Sequence, residues 1–131
     1  MPDRQTQNKR SEAEKRGHRG EILAALLLRL KGHRILGQRI KTHAGEIDLV
    51  SLPVFGPVCF VEVKARPSGR EAVEAVAPAQ RTRIARAASL YLASRPQLKR
   101  RGARFDIIAV PMGRRLGFPR HFKDVWRADD F

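Results

Sequence analysis

The run GEIDLV (Gly45–Val50), followed ten residues later by FVEVKAR (Phe60–Arg66), decides how this chain is read. Both segments are short and rich in Ile, Leu, Val and Phe, so they read as buried strands. Each nevertheless carries ionisable residues two apart. Side chains alternate along a strand, which puts Glu46, Asp48 and Val50 on one face and Ile47, Leu49 and Ser51 on the other. On the second strand Phe60, Glu62 and Lys64 share a face, with Cys59, Val61 and Val63 opposite. Pairing the two strands brings Asp48, Glu62 and Lys64 onto one patch of sheet, with Glu46 nearby. A carboxylate in such apolar surroundings costs several kcal/mol to desolvate unless a cation answers it. One lysine cannot neutralise three or four acids, so the pattern calls for a divalent metal. Oxygen ligands favour Mg²⁺ or Mn²⁺.

The chain around this pair is organised as one domain. Residues 1–16 are polar, charged and unpatterned, and read as a flexible basic arm. Gly17–Lys31 reads as a helix with a main stripe of Ile22, Leu23, Leu26, Leu27 and Leu30. Ala24, Ala25 and Leu28 make its opposite side nearly as apolar, and Gly32 ends it. An all-round apolar helix is expected to be buried. Glu21 is then a carboxylate at the head of a helix that otherwise avoids water. Arg34–Ile40, Glu46–Leu52 and Val58–Lys64 read as strands of an antiparallel meander, with turn chemistry at residues 43–45 and 53–57. A second helix is predicted over Pro78–Arg95, with Ile84, Ala87, Ala88, Tyr91 and Leu92 inward. Arg104–Val110 follows as a buried strand, and another strand is expected near His121–Trp126. The order αβββαβ, a mixed sheet flanked by helices, is an α/β fold.

Composition narrows the function. Twenty-seven Lys and Arg oppose thirteen Asp and Glu, a formal net charge of +14. Between Ala75 and Phe105 stand Arg81, Arg83, Arg86, Arg95, Lys99, Arg100, Arg101 and Arg104, with no acid among them. Basic residues outside and acids embedded within apolar strands suit a protein that holds a phosphate chain and brings metal to it. An anionic membrane would explain the charge but not the embedded acids. The longest apolar run, Ile22–Leu28, is far short of the roughly 20 residues of a spanning helix. The N-terminus has no apolar h-region of a secretory signal. The single cysteine, Cys59, reads as a buried small hydrophobe, and a reducing cytoplasm is the expected home. His18, His33, His43 and His121 lack metal-ligand spacing and are expected at the surface. Asp106 is read as structural, pairing with Arg104 or a helix end. Trp126 and the tail phenylalanines are expected to pack rather than stack on bases. No glycine-rich phosphate loop is present, which disfavours an NTPase.

Taken with the basic helix and RFDIIAV (Arg104–Val110), the two motifs resemble the bacterial YraN family, UPF0102. The likeness covers about Gly17 to Trp126. It implies a restriction-endonuclease-like fold of the PD-(D/E)xK type, similar to Holliday junction resolvases, over residues 17–131. It also implies a Mg²⁺-dependent endonuclease acting on DNA, including branched or junction DNA. Asp48 would be the central metal ligand and Glu62 the second, with the Val63 carbonyl contributing. Glu21 would be the helical acid completing the site, and Lys64 the catalytic lysine. Glu46 fits the motif or else pairs with a basic neighbour. Gln80 stands where the family pattern has lysine, and either points at the site or is an ordinary first-turn residue. Arg66, Arg81, Arg83, Arg86, Lys99, Arg100 and Arg101 would track nucleic acid. Cutting both strands would need two sites, hence a homodimer. The competing reading is a catalytically silent protein that binds DNA or RNA.

Overall fold

The computed structural model describes residues 18–111 and 117–128. The expected basic arm lies outside them. Helix α1 (residues 18–30) is followed by β1 (Arg34–Lys41), β2 (Glu46–Leu52) and β3 (Val58–Arg66). Then come α2 (Gly69–Glu74), α3 (Pro78–Ala93), the single turn α4 (Pro96–Lys99), β4 (Ala103–Pro111) and β5 (Arg120–Trp126). The five strands form one sheet in sequence order. β1, β2 and β3 are antiparallel neighbours, β3 and β4 run parallel, and β5 returns antiparallel to β4. The parallel step exists because α3 carries the chain back across one face between β3 and β4. The mixed sheet and the αβββαβ core order are those expected from the sequence.

Two apolar layers sandwich the sheet. On one face Phe60, Phe105, Ile107 and Val50 pack against Ile84, Ala87, Ala88, Tyr91 and Leu92 of α3. On the other, Leu49, Cys59, Val61, Ile108 and Val110 pack against Ala24, Ala25 and Leu28 of α1. β4 is buried without a break from Phe105 to Val110, as befits a strand covered on both sides.

Helix α1 is not buried all round, and the face turned inward is the opposite of the expected stripe. Ile22, Leu23, Leu26 and Leu30 are 54, 42, 48 and 86% exposed. The cause is steric. A side chain at Gly20 would already meet Val63 and Val110 at 3.6 Å, so the small residues let the helix lie close to the sheet. The bulky ones turn to solvent. α1 stops where expected, with Gly32 at φ +88°. His33 N donates to Leu28 O and Gly32 N to Arg29 O, the paired bonds of a Schellman cap. Helix α2 was not foreseen, although Ser68 and Glu71 carry the start signal. The Ser68 hydroxyl accepts from Glu71 N at 3.1 Å.

Two of the four histidines are interior rather than at the surface. His33 is 8% exposed and hydrogen-bonded to the buried Ser51 hydroxyl at 3.0 Å. The His121 side chain is 1% exposed and donates from Nε2 to Asp106 Oδ2 at 2.7 Å. Asp106 is the hub of this network. It takes both arms of Arg104 at 2.9 Å and the backbone N–H of Asp124 at 3.0 Å. Lys31 closes the outer end by donating to His121 Nδ1 at 2.9 Å. The structural role read for Asp106, with Arg104 as partner, is the observed one. Trp126 stacks on Phe105 with 5.2 Å between ring centroids, so it packs as expected.

Burial alone would raise the Asp106 carboxyl, but the bonds from His121, Arg104 and Asp124 outweigh it and hold it at about 2. A carboxyl depressed in the folded state stabilises above its unfolded value, and that stability goes as pH falls toward the folded value. Chemical denaturation should therefore show stability declining from about pH 4 to about 2. In Asp106→Ala this acid-sensitive component should be gone. The variant should also be weaker by about 3–5 kcal/mol at neutral pH, because Arg104 loses its buried partner.

Candidate functional site

The acids marked by the two motifs meet in a cleft of about 430 Å³ at one end of the sheet. α1 supplies Glu21, β2 supplies Glu46 and Asp48, β3 supplies Glu62, Val63 and Lys64, and α3 supplies Gln80 and Arg83. The cleft exists because β2 and β3 part company here. Their ladder runs from Ser51–Cys59 to Leu49–Val61 and is not continued to Asp48 and Glu62. The Asp48 carboxylate fills the gap, accepting from Val63 N at 2.9 Å. This irregularity breaks the simple alternation expected for β2. Ile47 and Val50 both point into the α3-side core, while Leu49 faces α1.

Glu62 is 3% exposed. Its Oε2 accepts a long bond from Gln80 Nε2 at 3.4 Å, and its Oε1 is buried with no hydrogen-bond partner. Burial, then the neighbouring Asp48 charge, push its carboxyl up to about 8, with Lys64 pulling the other way. Asp48 is also shifted upward, chiefly by burial, with the Val63 N–H opposing. A buried carboxyl and a partly buried one thus face one another, and with both deprotonated they carry more negative charge than Lys64 offsets. That donor set fits a divalent cation.

Glu21 stands at the cleft but is engaged elsewhere. Arg39 Nε donates to its Oε2 at 2.8 Å, and the same guanidinium reaches His18. Among the described residues no three acid, histidine or cysteine side chains form a ready-made metal cluster. Sequence reasoning missed Arg39. It lies on β1 between the Gln38–Leu49 and Ile40–Ile47 pairs, across from Asp48, with φ +49°. Only the register reveals it, since no motif marks the position. Glu46 is exposed at the rim, and Gln80 does point at the site, through Glu62.

The predicted nucleic-acid residues are scattered. Arg83 lines the cleft, and Arg66, at the end of β3, donates to its neighbour's carbonyl, Ala65 O. Arg86 is exposed on α3. Arg81 is spent on Val76 O and the face of Trp126. Arg101 clamps the carbonyls of Pro53, Val54 and Gly56, and the adjacent Lys99 and Arg100 are exposed. That turn precedes β3, so this basic group sits at the strand end far from Glu62, roughly 15–20 Å along the strand.

The raised Glu62 carboxyl gives a pH signature of the metal-free protein. Its stability contribution is complete below the unfolded value near 4.5 and is lost as pH rises through about 8. Thermal melts in chelator should fall across that window for the wild type. Glu62→Gln, which carries no charge, should flatten the profile.

Comparison with known sequences identifies the family of the chain. The profile described as "Uncharacterised protein family UPF0102" matches residues 20–110, from the α1 glycine to the end of the buried β4 run. A UPF0102 protein of Paramagnetospirillum magneticum is 47% identical over 121 residues, covering 89% of this chain and 91% of the relative. One from Agrobacterium fabrum is 49% identical over 119 residues, covering 91% and 94%. A third, from a Caulobacter species, is 45% identical over 127 residues, covering 95% and 88%. With the match running through both strand motifs and most of each relative, the chain belongs to the UPF0102 (YraN) family.

Proposed function

We propose that this protein is a metal-dependent endonuclease that hydrolyses phosphodiester bonds of DNA, including branched or junction DNA, in the cytoplasm. The observation that carries the reading is the buried, partnerless Glu62 Oε1 facing Asp48 beside Lys64. Asp48 and Glu62 would hold Mg²⁺ or Mn²⁺. The Val63 carbonyl would join them, because in an extended strand it points the same way as the N–H that already meets Asp48. The ion would supply charge to a phosphate oxygen and a more acidic water.

The chain's own residues do the rest. Val63 N–H fixes the Asp48 carboxylate, and Gln80 steadies one oxygen of Glu62. The Lys64 ammonium, on the same cleft wall, can hold the attacking water or answer charge growing on the phosphate. Arg83 at the rim offers a backbone phosphate a donor. Nothing in the cleft resembles a base-reading set, so selectivity by shape fits better than selectivity by sequence.

Glu21 would complete the ion's shell only by leaving Arg39, which holds it at 2.8 Å. That pairing is the one observation favouring a second reading, in which the protein binds DNA or RNA without turnover. Incubation with branched, single-stranded and duplex DNA in Mn²⁺, Mg²⁺ or EDTA separates the two. Cleavage should need the metal and fall at least about 100-fold in Asp48→Asn, Glu62→Gln and Lys64→Ala. Undiminished cutting by these variants would defeat the nuclease reading. Mn²⁺ should raise the melting temperature of the wild type and not of Asp48→Asn. Arg39→Ala should bind Mn²⁺ more tightly by freeing Glu21, which calorimetry reads without any substrate.

A further inference from the structure

Among the described residues, nothing covers the aliphatic ridge on the outer face of α1, in a molecule of net charge +14. Ile22, Leu26 and Leu30 recur every four residues, with Leu23 beside them, all substantially exposed. Val54, 67% exposed, lies beside Gly32 at the end of the helix, where an added Cβ would meet it at 3.6 Å, and Phe55, 90% exposed, follows it in sequence. From these exposures the patch amounts to on the order of 700 Å². Even without Phe55 the patch is about 500 Å², at the upper end of what a monomer shows, and it is a large share of the roughly 800 Å² one partner contributes to a standard interface. The segment preceding the helix is polar, with Met1, Pro2 and Ala13 its only apolar side chains.

We infer that this face binds a second copy of the chain, with the two α1 helices packed across a two-fold axis near Leu26. Three features favour a like partner. The ridge of residues four apart is the one that interdigitates with its own kind in the commonest class of helix packing. It is symmetric about Leu26, so in an antiparallel pair Ile22 of each copy meets the other's Leu30, as an isologous contact requires. The ridge residues themselves are uncharged, which suits contact between copies that each carry +14.

Glu21 lies five residues from Leu26, so with a rise of about 1.5 Å per residue and axes 8–10 Å apart the two Glu21 positions fall on the order of 15–20 Å from each other. That is comparable with the spacing of backbones across a DNA groove about 12 Å wide. The pairing of two sites for two strands rests on the nuclease reading, whereas the association itself does not.

Sedimentation equilibrium of the full chain, without metal or nucleic acid, tests the interface independently of cleavage. The wild type should form a dimer that tightens as salt rises, because screening removes repulsion between like-charged copies. A contact made through charge with an acidic partner would weaken instead. Leu26→Glu and Leu30→Glu, at exposed sites, should weaken association at least tenfold and leave the melting temperature unchanged at dilutions where the wild type is monomeric. Leu26→Cys should form an intermolecular disulfide across the axis much faster than the exposed control Phe118→Cys, and the buried Cys59 should not interfere. A wild type that stays monomeric at high salt, with Leu26→Cys no faster than the control, overturns the proposal. Binding of that monomer to anionic vesicles through the same residues would assign the face to a lipid surface.

Discussion

The cost of burying Glu62 beside the partly buried Asp48, at the point where β2 and β3 separate, governs the rest of the molecule. Strands that stayed paired to Asp48 would have spent the Val63 amide on a neighbouring backbone, and the acid would have no fixed place. Because they part, the amide is free to fix Asp48, and α3 can bring Gln80 against Glu62. The parallel crossover to β4, the close approach of α1 through Gly20 and the alanines, and the packing of α3 on Phe60 all hold that gap in shape.

Asp106 shows what the same fold does with a buried acid when no external cation is wanted. A guanidinium, an imidazole and a backbone amide surround it, and its carboxyl is driven down to about 2. Glu62 receives a long amide bond from Gln80 and lies against Asp48, another acid, and is driven up to about 8. The two acids stand on adjacent strands of one sheet and differ in what surrounds them. One is complete within the protein, and the other is built to be completed from outside.

How much of this was legible follows from the range of the signals involved. Glu62 and Lys64 can be read because alternation along β3 is local, and Asp48 because its motif is a few residues long, although the alternation along β2 fails. The α3 stripe is legible because Ile84, Ala87, Ala88, Tyr91 and Leu92 recur at helical spacing, with Leu90 the one large apolar side chain left outside it. Helix α1 could not be oriented, since both of its sides are apolar and the choice turned on how close the sheet lies, a property of Val63 and Val110 far along the chain. His33 and His121 gave no warning of burial because their partners are distant: Ser51 eighteen residues away, Lys31 ninety. Arg39 acquires its meaning only from the strand register and from a salt bridge back to Glu21.

The single tryptophan occupies a telling place. Trp126 stacks on Phe105 beneath the Arg81 guanidinium, at the seam joining β5, the sheet and the first turns of α3. Its ultraviolet emission is therefore an intrinsic gauge of whether that layer is docked. The indole does not line the acidic cleft, so a ligand taken up there leaves the gauge undisturbed unless the sheet itself yields.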